Sequence, residues 1–115
     1  MKISEIASIL NGKILCCEEN AGNEVHSACG SDMMSDVLAY VKDQAVLLTG
    51  LVNPQVIRTA DMMDMICIVF VRSKKPTPEM VNLASDMGIV VMTSDMRMYE
   101  ACGLLYSNGL NGELK

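Results

Sequence analysis

A chain of 115 residues, half of them apolar, can build one core that buries roughly two-thirds of its unfolded surface and leaves no material for a second. Its net charge of -5 and its four aromatic rings, Tyr40, Phe70, Tyr99 and Tyr106, argue against general affinity for DNA or RNA, which depends on excess Lys and Arg and on base-stacking rings. No run approaches the ~20 apolar residues of a membrane span, and the opening MKISEIASIL lacks the apolar stretch and cleavage site of a signal peptide, so a cytoplasmic protein is expected.

In chain order, Ser4 is expected to cap a short helix that buries Ile6, Ile9 and Leu10 and stops at Asn11-Gly12. A strand follows at 13–16, then a polar loop at 18–23, then a second short strand at 25–29. Gly30-Ser31-Asp32 reads as a turn or cap before a short helix with Met34, Val37, Leu38 and Val41 facing inward. A Ser-Asp pair before a helix usually serves only to cap it.

From residue 45 the pattern is stronger. AVLLTG (45–50), MICIVFV (65–71) and IVVMT (89–93) are continuous apolar runs of strand length, the appearance of strands covered on both faces of a parallel sheet. Between them lie two helices with defined ends: Asn53 caps one and Thr77 the other, each with proline at the first helical position, and Gly88 closes the second. Met80, Leu83, Ala84 and Met87 form one stripe for packing on the sheet. Ser94 is expected to cap a last helix to about Tyr106, burying Met98, Ala101, Cys102 and Leu105.

The order over 45–106 is therefore β-α-β-α-β-α. The fold class is α/β: a small three-layer-like domain with a mainly parallel sheet, preceded by a short α/β N-terminal portion. One domain spans residues 1–110, and 111–115 read as a frayed tail. Eleven methionines compensate for the shortage of aromatic rings, since Met fills irregular gaps and makes adaptable contact surfaces.

Ligands of open parallel sheets sit beyond the carboxyl ends of the strands, which selects three loops. The first offers Thr49, Gly50 and Asn53; the second Arg72, Ser73, Lys74 and Lys75; the third Thr93 and Ser94, followed by Asp95. The second concentrates three of the chain's nine basic residues in four positions, so it is either a solvated connection or a seat for a phosphate, a carboxylate or an acidic partner.

Catalytic signatures are missing. There is no GxxxxGK[ST] phosphate loop, no GxGxxG after a strand and no GxSxG elbow. The five cysteines (Cys16, Cys17, Cys29, Cys67, Cys102) form no CxxC pair and His26 is the only histidine, so reduced thiols are expected, with no metal and no cofactor. Asp61 and Asp64 share a helix face that a solvated role explains.

The segments ISEIASILNGKIL, ACGSDMMSDVLAYVKDQAVLLTGLVNPQVIRTADMMDMICIVFV and KKPTPEMVNLASDMGIVVMTSDMRMYEACGLL closely resemble DRTGG domains over nearly the full chain. That resemblance implies an α/β fold similar to the N-terminal domain of HPr kinases. It also implies a regulatory or dimer-forming role, since such domains occur within phosphate acetyltransferases and CBS-domain pyrophosphatases as well as alone. The family is named for Asp-Arg-Thr-Gly-Gly residues. Around the first part this chain has Thr49-Gly50-Leu51-Val52-Asn53, and where Thr-Gly-Gly is expected it has Val71-Arg72-Ser73. Only Gly50 and the strand-end placement of Arg72 and Ser73 carry over.

The resemblance, the missing catalytic sets and the Met-rich content together lead to the expectation of a non-catalytic sensing or interaction module, homodimeric, and the basic loop to that of a nucleotide or other phosphate-bearing ligand. The alternatives are an accessory structural subunit of a redox enzyme complex, such as one with an iron hydrogenase, and a small enzyme acting on a phosphorylated metabolite. A larger metabolic or redox enzyme is an expected partner.

Overall fold

The computed structural model describes residues 1–40 and 44–110. One five-stranded sheet runs through it: β1 (Lys13–Cys16), β2 (Ser27–Gly30), β3 (Ala45–Thr49), β4 (Cys67–Phe70) and β5 (Val90–Thr93), in the spatial order β1-β5-β4-β3-β2. The last four strands are parallel and lie side by side in chain order, while β1 closes the far edge antiparallel to β5. The α/β class and the mainly parallel sheet are as the apolar runs predict.

Helices α2 (Met34–Tyr40), α3 (Pro54–Met62) and α4 (Pro78–Met87) cover one face, and α1 (Ile3–Leu10) and α5 (Met98–Ser107) cover the other. The three crossover helices share a face because the strands advance steadily in one direction, so all the crossovers have one hand. Alternation along the strands then divides the core. Val46, Leu48, Val69 and Met92 meet Ile3, Ile6, Leu10, Ala101 and Leu105 on one side. Leu47, Ile68, Phe70 and Val91 meet Val37, Ile57, Met80 and Ala84 on the other.

Element ends depart from the expectations where tertiary contacts override local signals. Helix α1 begins at Ile3, before Ser4, because its first N–H groups find partners elsewhere in the fold. Ile3 and Ser4 donate to the carbonyls of Asn23 and Ala21, and the Glu5 carboxylate accepts from Lys2 N–H at 2.8 Å. The second strand is shifted to 27–30 by its register on β3, which leaves His26 exposed and outside the strand. Leu38 is 46% exposed rather than inward, since only one stripe of so short a helix reaches the sheet. Helix α5 begins at Met98, four residues after Ser94. Asn53 and Thr77 cap as expected, accepting from Gln55 N–H at 2.8 Å and Met80 N–H at 3.2 Å, and Gly88 takes the left-handed conformation (φ 74°) that closes α4. The expectations for Val41 and for the tail at 111–115 lie outside the described residues. Among those described, no helix is long and apolar enough to cross a membrane.

Candidate functional site

Because β2, β3, β4 and β5 are parallel, their carboxyl ends share one edge of the sheet, and the loops leaving them form a rim. Its centre is Asp32, just beyond β2. One carboxylate oxygen, Oδ1, accepts from the Thr49 hydroxyl at 3.0 Å and from Gly50 N–H at 2.7 Å at the end of β3. The other, Oδ2, lies 3.3 Å from Arg72 Nη2 beyond β4. Next to this cluster the Ser73 hydroxyl donates to Asp95 Oδ1 at 2.8 Å, joining the β4 and β5 loops.

Two backbone features position the arginine. Arg72 and Ser73 both have positive φ, 60° and 59°, the left-handed region that costs an L-residue about 1–2 kcal/mol. They are held there by the next loop: Arg72 N–H donates to the Met96 carbonyl at 2.7 Å and Ser73 N–H to the Ser94 carbonyl at 3.1 Å. The resemblance leads one to expect glycines at these positions, and the backbone keeps the shape that glycine favours. The guanidinium then lies over Gly50, where a Cβ would come within 2.8 Å of its Cζ and Nε and nearer still to Nη2. Gly50 is therefore needed for close approach. Arg72→Gly is expected to be more stable than Arg72→Ala by about 1 kcal/mol, because alanine keeps the left-handed strain and loses the ion pair while glycine relieves the strain. Urea denaturation of the two variants checks this; equal stabilities would mean that the loop relaxes out of the left-handed conformation.

Of the residues selected from sequence, Thr49, Gly50, Arg72 and Ser73 meet in this cluster. Lys74 and Lys75 follow it on the same loop and are exposed. Asn53 stands on the same edge, its side-chain oxygen occupied in capping α3. Thr93 is half-buried and pairs with Lys13 of β1. The Ser94 side chain turns inward: its hydroxyl donates to the buried Leu10 carbonyl at 2.8 Å and accepts from Met96 N–H at 3.2 Å. Asp32, which in sequence looks like a cap, and Asp95, in the third loop, also belong to the cluster. The available signal was the position of each acid at a strand's carboxyl end, facing a loop with a cation or a hydroxyl.

The rim therefore offers Arg72, with most of its donors free among the described residues, the exposed Lys74, Lys75 and Arg97, and two carboxylates already engaged. It is equipped to bind an anion by charge and hydrogen bonding. All five thiols are free. Burial pushes Cys16 up to about 11 and Cys67 further, and also raises Cys29 and Cys102, so these four stay protonated at neutral pH and are poor nucleophiles. Cys29 and Cys102 pack on opposite faces of the sheet. Among the described residues no three His, Cys, Asp or Glu side chains converge as metal ligands. A cavity of about 430 Å³ at the opposite edge of the sheet is bordered by Asp61, Asp64 and Gly88, and none of its described lining residues is a cation.

Comparison with known proteins adds two findings. Residues 5–107 match the family model described as the DRTGG domain. The fold superposes, with a TM-score of 0.73 and 14% identity, on a crystal structure of the CBS and DRTGG domains of the regulatory region of Clostridium perfringens pyrophosphatase complexed with its activator, diadenosine tetraphosphate. That match covers 99% of this chain and 50% of the other, so this chain spans half the length of that structure, and at this identity the likeness concerns the fold. No curated protein matches the chain.

Proposed function

This chain belongs to the DRTGG domain family, and from that premise we propose that it is a non-catalytic regulatory module that senses a phosphate-bearing ligand, such as a nucleotide, at the carboxyl rim of its sheet. The observation that carries this reading is the Arg72 guanidinium laid over Gly50, with a single ion-pair contact at 3.3 Å, and with the exposed Lys74 and Lys75 next on the same loop. Arginine's planar fork suits phosphate oxygens, and a side chain held by one half-exposed contact is free to turn toward them.

As a homodimer the module would use its outer helix. Tyr99 and Tyr106 stand seven residues apart on α5, 93% and 66% exposed, with Gly103 between them and nothing crowding it. Two antiparallel copies of such a helix place each Tyr99 against the partner's Tyr106, the self-complementary arrangement that a two-fold axis requires, and tyrosine is favoured at interfaces. The module acts in the cytoplasm, on or beside a larger metabolic enzyme.

Native mass spectrometry of the protein purified from its own cells tests the reading, because it reports subunit number and bound mass together. A dimer carrying a phosphate-bearing molecule is expected, and Arg72→Gly is expected to lose the added mass. A bare chain that co-purifies stoichiometrically with a larger enzyme, unaffected by Arg72→Gly, would instead make it an accessory structural subunit.

A further inference from the structure

We infer that Asp32 is a built-in competitor for the anion site: its carboxylate holds the Arg72 guanidinium until a multiply charged phosphate displaces it. On this basis the rim admits phosphomonoesters and polyphosphates and rejects singly charged carboxylates and phosphodiesters. The inference rests on the ligand-sensing reading above and assigns it a ligand class and a selectivity device.

The two oxygens of Asp32 have unequal tasks. Oδ1 is bound tightly to the end of β3, at 2.7 Å from Gly50 N–H and 3.0 Å from the Thr49 hydroxyl. Oδ2 makes one contact of 3.3 Å with one nitrogen of Arg72, longer than the ~2.7–2.9 Å of a strong charge-assisted bond and short of a bidentate fork. The side chains are 45% and 47% exposed, so the pair is well screened and weak. Losing Oδ2's partner therefore leaves the strand end intact. The arginine, in turn, has a fixed root and a loose head, since its backbone is anchored to Met96 while its guanidinium rests on Gly50 and is held only by the one long contact to Asp32.

Charge decides which ligand succeeds. Asp32 is tethered close to Arg72, at an effective concentration that a free monoanion of equal charge and similar geometry cannot match. A ligand with two or more negative charges gains further attraction from Lys74 and Lys75, both exposed on the same loop, which the Asp32 carboxylate does not contact.

Isothermal titration of the full chain with inorganic pyrophosphate, and separately with acetate, distinguishes the outcomes. Asp32→Asn retains an oxygen for Thr49 and Gly50 and removes the charge facing Arg72. Pyrophosphate is expected to bind this variant about fivefold more tightly than the unmodified chain, as befits loss of a weak competing ion pair, and acetate is expected to bind it measurably while failing to bind the unmodified chain. Arg72→Gly is expected to bind neither. If Asp32→Asn binds pyrophosphate no better than the unmodified chain while Arg72→Gly loses it, the anion site stands and the competitor is overturned. If pyrophosphate binds none of the three, the anion site itself fails and the inference with it. The unmodified chain supplies an independent readout: saturating pyrophosphate should abolish the nuclear Overhauser contact between the Arg72 side chain and the Gly50 Cα protons, and its persistence would overturn displacement.

Discussion

Phe70→Ala is expected to lower the stability of the fold by about 3–4 kcal/mol, within the range for removing a buried aromatic ring. Phe70 is the chain's only phenylalanine and is fully buried on the face covered by α2, α3 and α4. Few other bulky side chains can replace its volume, because that layer is otherwise built from Val, Ile, Leu, Ala and Met. Met80, flexible and fully buried in the same cluster, can turn partly into the space, which argues against the upper end of the range. Against a total stability of about 5–15 kcal/mol for a small domain, such a loss removes between about a fifth and four-fifths of the margin. Phe70→Leu, which retains most of the volume, is expected to cost about 1 kcal/mol. Urea denaturation decides between them, and a loss below about 1 kcal/mol for the alanine variant would show that the layer closes over the gap. Phe70 also lies two residues before Arg72, so its loss should loosen the rim as well as the core.

Ser94→Ala is expected to cost about 2 kcal/mol, a large effect for the removal of one oxygen atom. The Ser94 residue is 2% exposed. Its hydroxyl donates to the Leu10 carbonyl in the last turn of α1 and accepts from Met96 N–H. Carbonyls in the last turn of a helix have no partner within it, and water cannot easily reach this one. Alanine would leave a buried acceptor and a nearby donor unpaired, and each carries a desolvation penalty. The same bond ties α1 to the loop that anchors Arg72, so the variant should lose stability while retaining more pyrophosphate affinity than Arg72→Gly. Thermal denaturation and the titration described above measure the two quantities. An unchanged melting temperature would show that the hydroxyl is dispensable.

Ser94 also shows how far the site could be read from sequence. Its position after an apolar strand made it a candidate both for capping the last helix and for binding a ligand. In the folded chain it does not cap α5, because the approach of α1, more than eighty residues earlier, gives its hydroxyl a buried carbonyl to satisfy. Asp32 is the converse case. In sequence it looks like an ordinary helix-entry residue, and its importance comes from Thr49, Gly50 and Arg72, which only strand pairing brings to it. Arg72 itself was legible as part of a basic loop. Its left-handed backbone and its place over Gly50 were not, because both depend on hydrogen bonds to the loop at 94–96.

The sequence by itself determined the α/β class, the three central strands, the two proline-started helices and the edge of the sheet where a site would lie. Those features follow from local physics: apolar runs of strand length, caps adjoining proline, and a glycine that closes a helix. Tertiary structure alone decided the antiparallel pairing of β1 with β5, the start of the last helix, the division of the core into two faces, and the meeting of Asp32, Gly50 and Arg72. Each of these depends on contacts between residues far apart in the chain, whose free energy appears only when the sheet assembles and which no local pattern encodes.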